Sequence, residues 1–518
     1  MNEILRIGVD VGGTNTDAAL LKGSTVMATV KRPTSANVDD GVVDAIKSVL
    51  DKAGVTGEDV EAVMIGTTHF LNAVVERRHL QKVGVLRLCG PATRSLPPMV
   101  DWPEALREVV DGGVALVGGG VEFDGRPLAP LDEDAIRAQC RDWKSRGVDA
   151  VAICAVFALV DGEMERRAGE IVAEELPGAA ISLSHRIGHT GLLKRESAAI
   201  LNSSLTDLGI RTVAAFREAF ARLGMTCPLY LTQNDGTVMS SDFAERFPIF
   251  TIASGPTNSM RGAAFLTGLD DAAVVDIGGT TTDIGLLVGG FPRGRGEGAK
   301  IADVQTNFRV PDVYSIGLGG GSIVQGTADA LEIGPESVGY QIIQMARIFG
   351  GDVLTSSDIA VASGLATLGD ASRVADLDPA LVSKAVARMK ADIEDVIDRM
   401  KPSQEPIPAI LVGGGSILVG RELEGVSKVL KPEHFGSANA IGAAIAQVSG
   451  EMDTIVSLDG TSRDAALKDV ISEATKRAVE AGASQSNIEI TDISETPLAY
   501  LPGNAVRISV KVVGDLSA

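Results

Sequence analysis

The sequence predicts an α/β protein of two related halves around a cleft, and three observations predict it. The runs DVGGTNTDAALL at 10–21 and DIGGTTTDIGLL at 276–287 are identical at eight of twelve positions. Each reads as an apolar strand, a Gly-Gly-Thr turn and a returning strand entered through an aspartate. The composition, with 59 Gly, 45% hydrophobic and only 4% aromatic residues, suits many strand-to-helix turns better than a β-sandwich. The length of 518 residues exceeds one compact core and implies two or three domains. Turns of this kind expose backbone N–H groups and hydroxyls that hold phosphate. Two of them face to face would grip a polyphosphate from both sides.

In chain order, 6–11, 18–22 and 26–31 read as a strand meander opened by the first phosphate-type turn. A helix at 41–53, a strand at 62–66, a helix at 68–78 and a strand at 83–88 follow. The Pro- and Gly-rich stretch 91–125 reads as a substrate-facing surface excursion. Strand, helix and strand patterns then span 148–157, 162–175 and 180–184, and 192–221 is helical. A second half opens with PLYLTQ at 228–233, continues through the second meander and GLGGGS at 317–322, and is helical over 337–399. The strand AILVGGGS and a small-residue helix at 437–447 close it, before a tail with one helix and two strand-like runs. The predicted division is a first half 1–191, a helical bridge 192–227, a second half 228–450 and a small α+β appendage 451–518.

A net charge of −21, with no basic stripe to offset it, argues against nucleic acid and anionic membranes as partners. A nucleotide still fits if backbone amides and a divalent cation neutralise its phosphates, so a metal is expected. Cys89, Cys140, Cys154 and Cys227 are dispersed and read as reduced, buried thiols. The N-terminus runs directly into a strand without the zones of a signal peptide, and the apolar stretch 148–160 is too short to cross a bilayer. A soluble cytoplasmic protein is the expectation.

Asp10 and Asp276 each end a buried strand before Gly-Gly-Thr, where a carboxylate can hold water on magnesium or orient a nucleophile. Asp17 and Asp283, on the returning strands, brace the turn or face the metal. Gly413, Gly414, Gly415 and Ser416 follow a β-branched strand and let an adenosine approach the backbone. Gly319 and Gly320 of GLGGGS contact phosphate or substrate, or only permit close packing. No run ends in the Gly-Lys-Ser/Thr of a Walker A loop, and no G-x-G-x-x-G with its acidic partner follows a strand.

These features resemble the actin-like ATPase superfamily and, within it, the hydantoinase/oxoprolinase family. The motifs that carry the likeness are DVGGTNTD (10–17), GTTHFLNAVVERR (66–78), ASGPTNSMRGA (253–263), DIGGTTTDIGLL (276–287), YSIGLGGGSIV (314–324), GPESVG (334–339) and LVGGGS (411–416). The resemblance covers about residues 4–450. It implies two duplicated ribonuclease H-like halves, Mg-ATP as cofactor, and ATP-dependent opening of a cyclic amide or imide such as a hydantoin or 5-oxoproline. Gly12, Gly13, Thr14, Asn15 and Thr16, with Gly278, Gly279, Thr280 and Thr281, would then hold the phosphates. Asp10, Asp276 and Asp283 would face magnesium, residues 413–416 would receive adenosine, and the helix at 437–447 would act at the hinge.

Family members are often longer or work with a second subunit, so a partner subunit or a homo-oligomer is implied. Substrate contacts fall to Thr67, Thr68, His69, Asn234 and Asp235, besides Gly319 and Gly320. His69 equally suits a local backbone contact, and His185 with His189 either a metal or a loop role. Arg195 and Glu196 read as a structural ion pair. The rival activities are a small-molecule kinase, the ATP-using subunit of a carboxylase, and a regulatory or assembly ATPase.

Overall fold

The computed structural model describes every residue except 1–3, 13, 14, 34–37, 91, 296, 297, 299, 500, 502 and 518. The duplicated hairpins open two sheets of the same topology. In the first, Leu5–Val11 pairs antiparallel with Asn15–Lys22, which pairs with Thr25–Pro33; on the other flank Ala62–Thr67 and then Leu229–Thr232 join parallel. In the second, Ala272–Ile277 pairs antiparallel with Thr282–Val288, and Ile407–Val412 and Val426–Leu430 join parallel on the other flank. The repeat extends to register: Asp10 faces Asp17 as Asp276 faces Asp283. Across the parallel pairs, Asp10 faces Gly66 and Asp276 faces Val412. The turn after Gly66 and the glycine loop after Val412 are therefore topological equivalents. This is the ribonuclease H-like, actin-like ATPase arrangement that the sequence predicts.

The parallel strands are apolar throughout because helices cover both faces; Ile7, Val9, Val63, Met64 and Ile65 are fully buried. Between the sheets, helix Ala438–Ala444 crosses helix Ser254–Thr267. The crossing is backbone on backbone: a Cβ at Gly262 would overlap the Ala438 carbonyl, and one at Gly442 the Asn258 carbonyl. Only glycine fits at either point.

Three features differ from the sequence expectation. Leu229–Thr232, predicted to open a second half, is hydrogen-bonded into the first sheet beside Ala62–Thr67. The tail strands Val448–Val456, Val506–Leu516 and Ala483–Pro497 extend that same sheet to nine strands, so the tail is continuous with it. Within 91–125 lie helix Glu104–Val110 and strand Asp111–Gly118, and the strand belongs to a four-stranded sheet with Val83–Gly90, Ala150–Ala155 and Ala180–Leu183. Gly112 packs on the Val83 backbone and Gly113 has φ +115°, so residues that read as loop are there to let a strand pair closely.

Candidate active site

Both aspartate-tipped turns open onto one cavity of about 410 Å³ between the two sheets. The first half contributes Asp10, Gly12, Asn15, Asp17 and Lys31; the second contributes Asp276, Gly278, Gly279, Thr281 and Gly413–Gly415. Gly320 reaches it because Gly320 N and Gly321 N donate to the carbonyls of Gly278 and Gly279 at 3.0 and 2.7 Å. Ile342, Ile343, Phe349, Leu368, Ile417 and Phe435 add an apolar lining to the same cavity.

Asp10 sits at the end of its strand, 8% exposed. Its carboxylate accepts from Asn439 Nδ2 at 2.9 Å and Asn258 Nδ2 at 3.4 Å. Asn439 Nδ2 also donates to Asp17 at 3.0 Å, and Lys31 Nζ reaches Asp17 at 2.6 Å. Helix Ala438–Ala444 thus touches both first-half carboxylates. Burial, reinforced by Asp17, pushes the Asp10 carboxyl up to about 6. Burial, reinforced by Asp283 and by Asp10 across the cleft, does the same for Asp276, also to about 6. Two buried carboxyls that resist ionisation are suited to a cation. Magnesium is commonly held by one or two carboxylates together with phosphate oxygens, and Asp10 and Asp276 fit that donor set.

The raised values carry a sign. A carboxyl with pKa near 6 folded and 3.8 unfolded stabilises the fold fully below the unfolded value, and this contribution is lost as pH rises through about 6. The difference in thermal midpoint between the wild type and an Asp10→Asn/Asp276→Asn double variant, without nucleotide or divalent cation, is therefore expected to shift against the wild type from pH 4 to pH 7. A pH-independent difference would refute the shifted ionisation.

The predicted residues divide as follows. Gly13 and Thr14 lie outside the described residues. Thr16 is buried behind the turn, off the cavity wall. Thr280 and Ser416 are also off the wall, and Gly319 packs on the Gly279–Thr280 backbone in a supporting position. Asp283, predicted to face the metal, is off the wall and is engaged by the Ser315 hydroxyl; its strand pairs with Val313–Ile316, a neighbour that the local sequence does not announce. Thr67, Thr68 and His69 follow the strand beside Asp10 but do not line the cavity, and the Thr67 hydroxyl accepts from His69 N at 3.1 Å. Gly66 is required there, since a Cβ would come within 2.6 Å of Asp10 Oδ1. Asn234 and Asp235 line a different cavity. Lys31, Ser259, Asn439 and the apolar lining were not singled out from sequence. Lys31 was detectable from hairpin register, because it pairs with Asp17; Asn439 stands out as the polar residue in a run of small ones.

The histidines and helix Leu192–Arg222 also have definite partners. His185 Nδ1 lies 2.6 Å from buried Glu165, while His189 sits near Glu451 and Asp453 at 3.9 and 3.8 Å. Among the described residues no group of three or more His, Cys, Asp or Glu side chains is placed to hold a metal ion. Glu196 pairs with Arg87, and not with Arg195, which donates to Ser184 Oγ and the Ala155 carbonyl. No helix among the described residues is long and apolar enough to cross a membrane.

Residues 6–176 match the hydantoinase/oxoprolinase N-terminal region, and residues 195–370 match the hydantoinase/oxoprolinase model. The chain is 28% identical to caprolactamase subunit alpha of Pseudomonas jessenii, over 69% of this chain and 54% of that one. It is 25% identical to acetophenone carboxylase gamma subunit of Aromatoleum aromaticum, over 69% of this chain and 53% of that one. It therefore spans about half the length of these curated relatives. The solved ATP-dependent caprolactamase of Pseudomonas jessenii superposes with a TM-score of 0.77 at 20% identity, covering 99% of this chain and 88% of that one. Nucleotide-free acetone carboxylase gives 0.70 at 17%, covering 100% and 88%. With both family regions matched in order around the paired hairpins, the chain belongs to the hydantoinase/oxoprolinase family.

Proposed function

We propose that this chain binds Mg-ATP between its two sheets and uses it to open the ring of a cyclic amide or imide. The observation that carries the reading is the convergence of both aspartate-tipped turns on one cavity. Asn15, Gly279 and Thr281 offer amides and side-chain donors to the phosphates, while Gly12 N and Gly278 N close the two turns by donating to the Asn15 and Thr281 carbonyls at 3.0 and 2.9 Å. The glycine loop 413–415 and the apolar lining receive the adenosine. Magnesium, held through Asp10 and Asp276, would neutralise the phosphate charge. Lys31 supplies a further cation on the same wall. A lactam is inert because its amide is resonance-stabilised; moving the γ-phosphoryl group to the ring carbonyl oxygen makes that carbon electrophilic. Water then adds to that carbon and the C–N bond breaks to give an acyl phosphate, which a second water hydrolyses to the ring-opened acid and free phosphate.

The names of the relatives support a partner subunit, since caprolactamase and the acetophenone and acetone carboxylases are represented by single subunits. The carboxylase relatives also favour a second reading, in which this chain is the ATP-using subunit of a carboxylase. One assay separates the two: phosphate release against a panel of lactams, imides and hydantoins, with and without bicarbonate and co-expressed neighbouring proteins. Ring-dependent phosphate release without bicarbonate is the expected result. Strict bicarbonate dependence would replace the first reading with the second.

A further inference from the structure

The hairpin register sets two buried carboxylates against each other: Asp10 faces Asp17 across the first turn. Like charges directly opposite on neighbouring strands repel, and one amide stands between these two. Asn439 Nδ2 donates to Asp10 Oδ2 at 2.9 Å and to Asp17 Oδ2 at 3.0 Å, which spends both of its hydrogens. Asn439 Oδ1 accepts from Ala440 N at 2.9 Å. A flipped amide would set its oxygen against two carboxylates and its nitrogen against a backbone N–H, so the network fixes the orientation. Asp17 is also matched by Lys31 at 2.6 Å. Asp10 has no such cation: its partners are the neutral carboxamides of Asn439 and Asn258, and among the described residues no lysine, arginine or histidine pairs with it.

The helix that carries Asn439 has no room to drift. Helix Ala438–Ala444 lies on the first strand at Gly8, where a Cβ would come within 1.9 Å of the Ala440 carbonyl oxygen and 2.6 Å of Ala444 N. Its crossing with helix Ser254–Thr267 is as close, at Gly262 and Gly442. The second half is built differently at the same place. There the Ser259 side chain serves Asp276 and the Ser315 hydroxyl serves Asp283, two separate hydroxyls in place of one bridging amide. Each Asp10 oxygen carries a single carboxamide hydrogen bond and keeps a lone pair free. A carboxylate oriented by neutral donors and left without a counter-ion is suited to a divalent cation.

We propose that Asn439 is a positioning residue: its amide holds the Asp10 carboxylate in one orientation, against the repulsion of Asp17, so that a divalent cation meets a preset ligand. The inference rests on the reading of the cleft as a Mg-nucleotide site. The test is manganese binding to the full chain, followed by electron paramagnetic resonance with and without saturating ADP, beside calorimetry of ADP alone in EDTA. In Asn439→Ala and Asn439→Leu, manganese is expected to bind roughly 10–100-fold more weakly, while metal-free ADP affinity stays at the wild-type value. Wild-type manganese affinity in a folded variant, or an equal loss of metal-free ADP binding, would overturn the proposal. A collapse of the thermal midpoint in both variants would overturn it too, since the amide would then be purely structural. If the wild type binds manganese but not ADP, and the variants weaken manganese, the positioning role stands and the nucleotide reading falls. A wild type that binds ADP but no manganese would do the reverse, and binding of neither would overturn both.

Discussion

Asp10→Ala and Asp276→Ala are each expected to lower ATP turnover by a factor of about a thousand or more while leaving the protein folded. The reason is the geometry of the cleft. Each carboxylate ends a buried strand, and the two strands belong to separate sheets with the same register, so neither aspartate can substitute for the other. In the proposed site, removing either would leave the cation with one of its two carboxylates. Stability should not suffer in proportion, because both carboxyls are held at about 6 by burial and by other carboxylates, and their removal relieves that cost. The measurement is phosphate release together with thermal midpoint. Normal turnover in either variant would sink the site assignment; a collapse of the midpoint would show that the aspartates instead support the fold.

The same register explains what could be read from the sequence. The hairpins are local, so two copies of DxGGTxTD sufficed to predict paired strands, turns and a shared cleft. Long-range pairing left no local mark. Leu229–Thr232 joins a strand that ends at Thr67, and Val448–Val456 extends the sheet from still further along the chain. A boundary placed at 228 from pattern alone therefore falls inside a continuous sheet. Glycine misled for a different reason: at Gly112 and Gly113 it permits close strand approach, at Gly262 and Gly442 helix crossing, and at Gly413, with φ +81°, packing against Asp276. One residue type serves loops, strands and crossings, so only the partner decides. Asn234 shows the same limit in the site: its turn was legible, but which cavity it would line depended on the strand Val448–Val456 and the segment around Arg309.

Helix Leu192–Arg222 leads to the largest stability effect expected of a single substitution. Glu196 receives Arg87 through two parallel hydrogen bonds, Nε at 2.8 Å and Nη2 at 2.5 Å, with the two side chains 2% and 0% exposed. Arg87 Nη1 also donates to the Leu96 carbonyl at 2.6 Å, and Trp102 Nε1 donates to Ser197 Oγ at 3.0 Å. One buried pair thus pins the four-stranded sheet and the segment that follows Gly90 onto helix Leu192–Arg222. Deleting one partner strands a charge with no water to solvate it, so Glu196→Leu and Arg87→Met are each expected to cost about 3–5 kcal/mol. The double variant Arg87→Met/Glu196→Leu should recover most of that loss, because an apolar pair of similar volume carries no desolvation penalty. Denaturant unfolding of the three variants measures it, and a double variant no more stable than the worse single one would refute the account. Since neither residue lines the cavity proposed to hold the nucleotide, ATP affinity measured well below the unfolding transition should be unchanged in all three, which separates a pin for the scaffold from a part of the site.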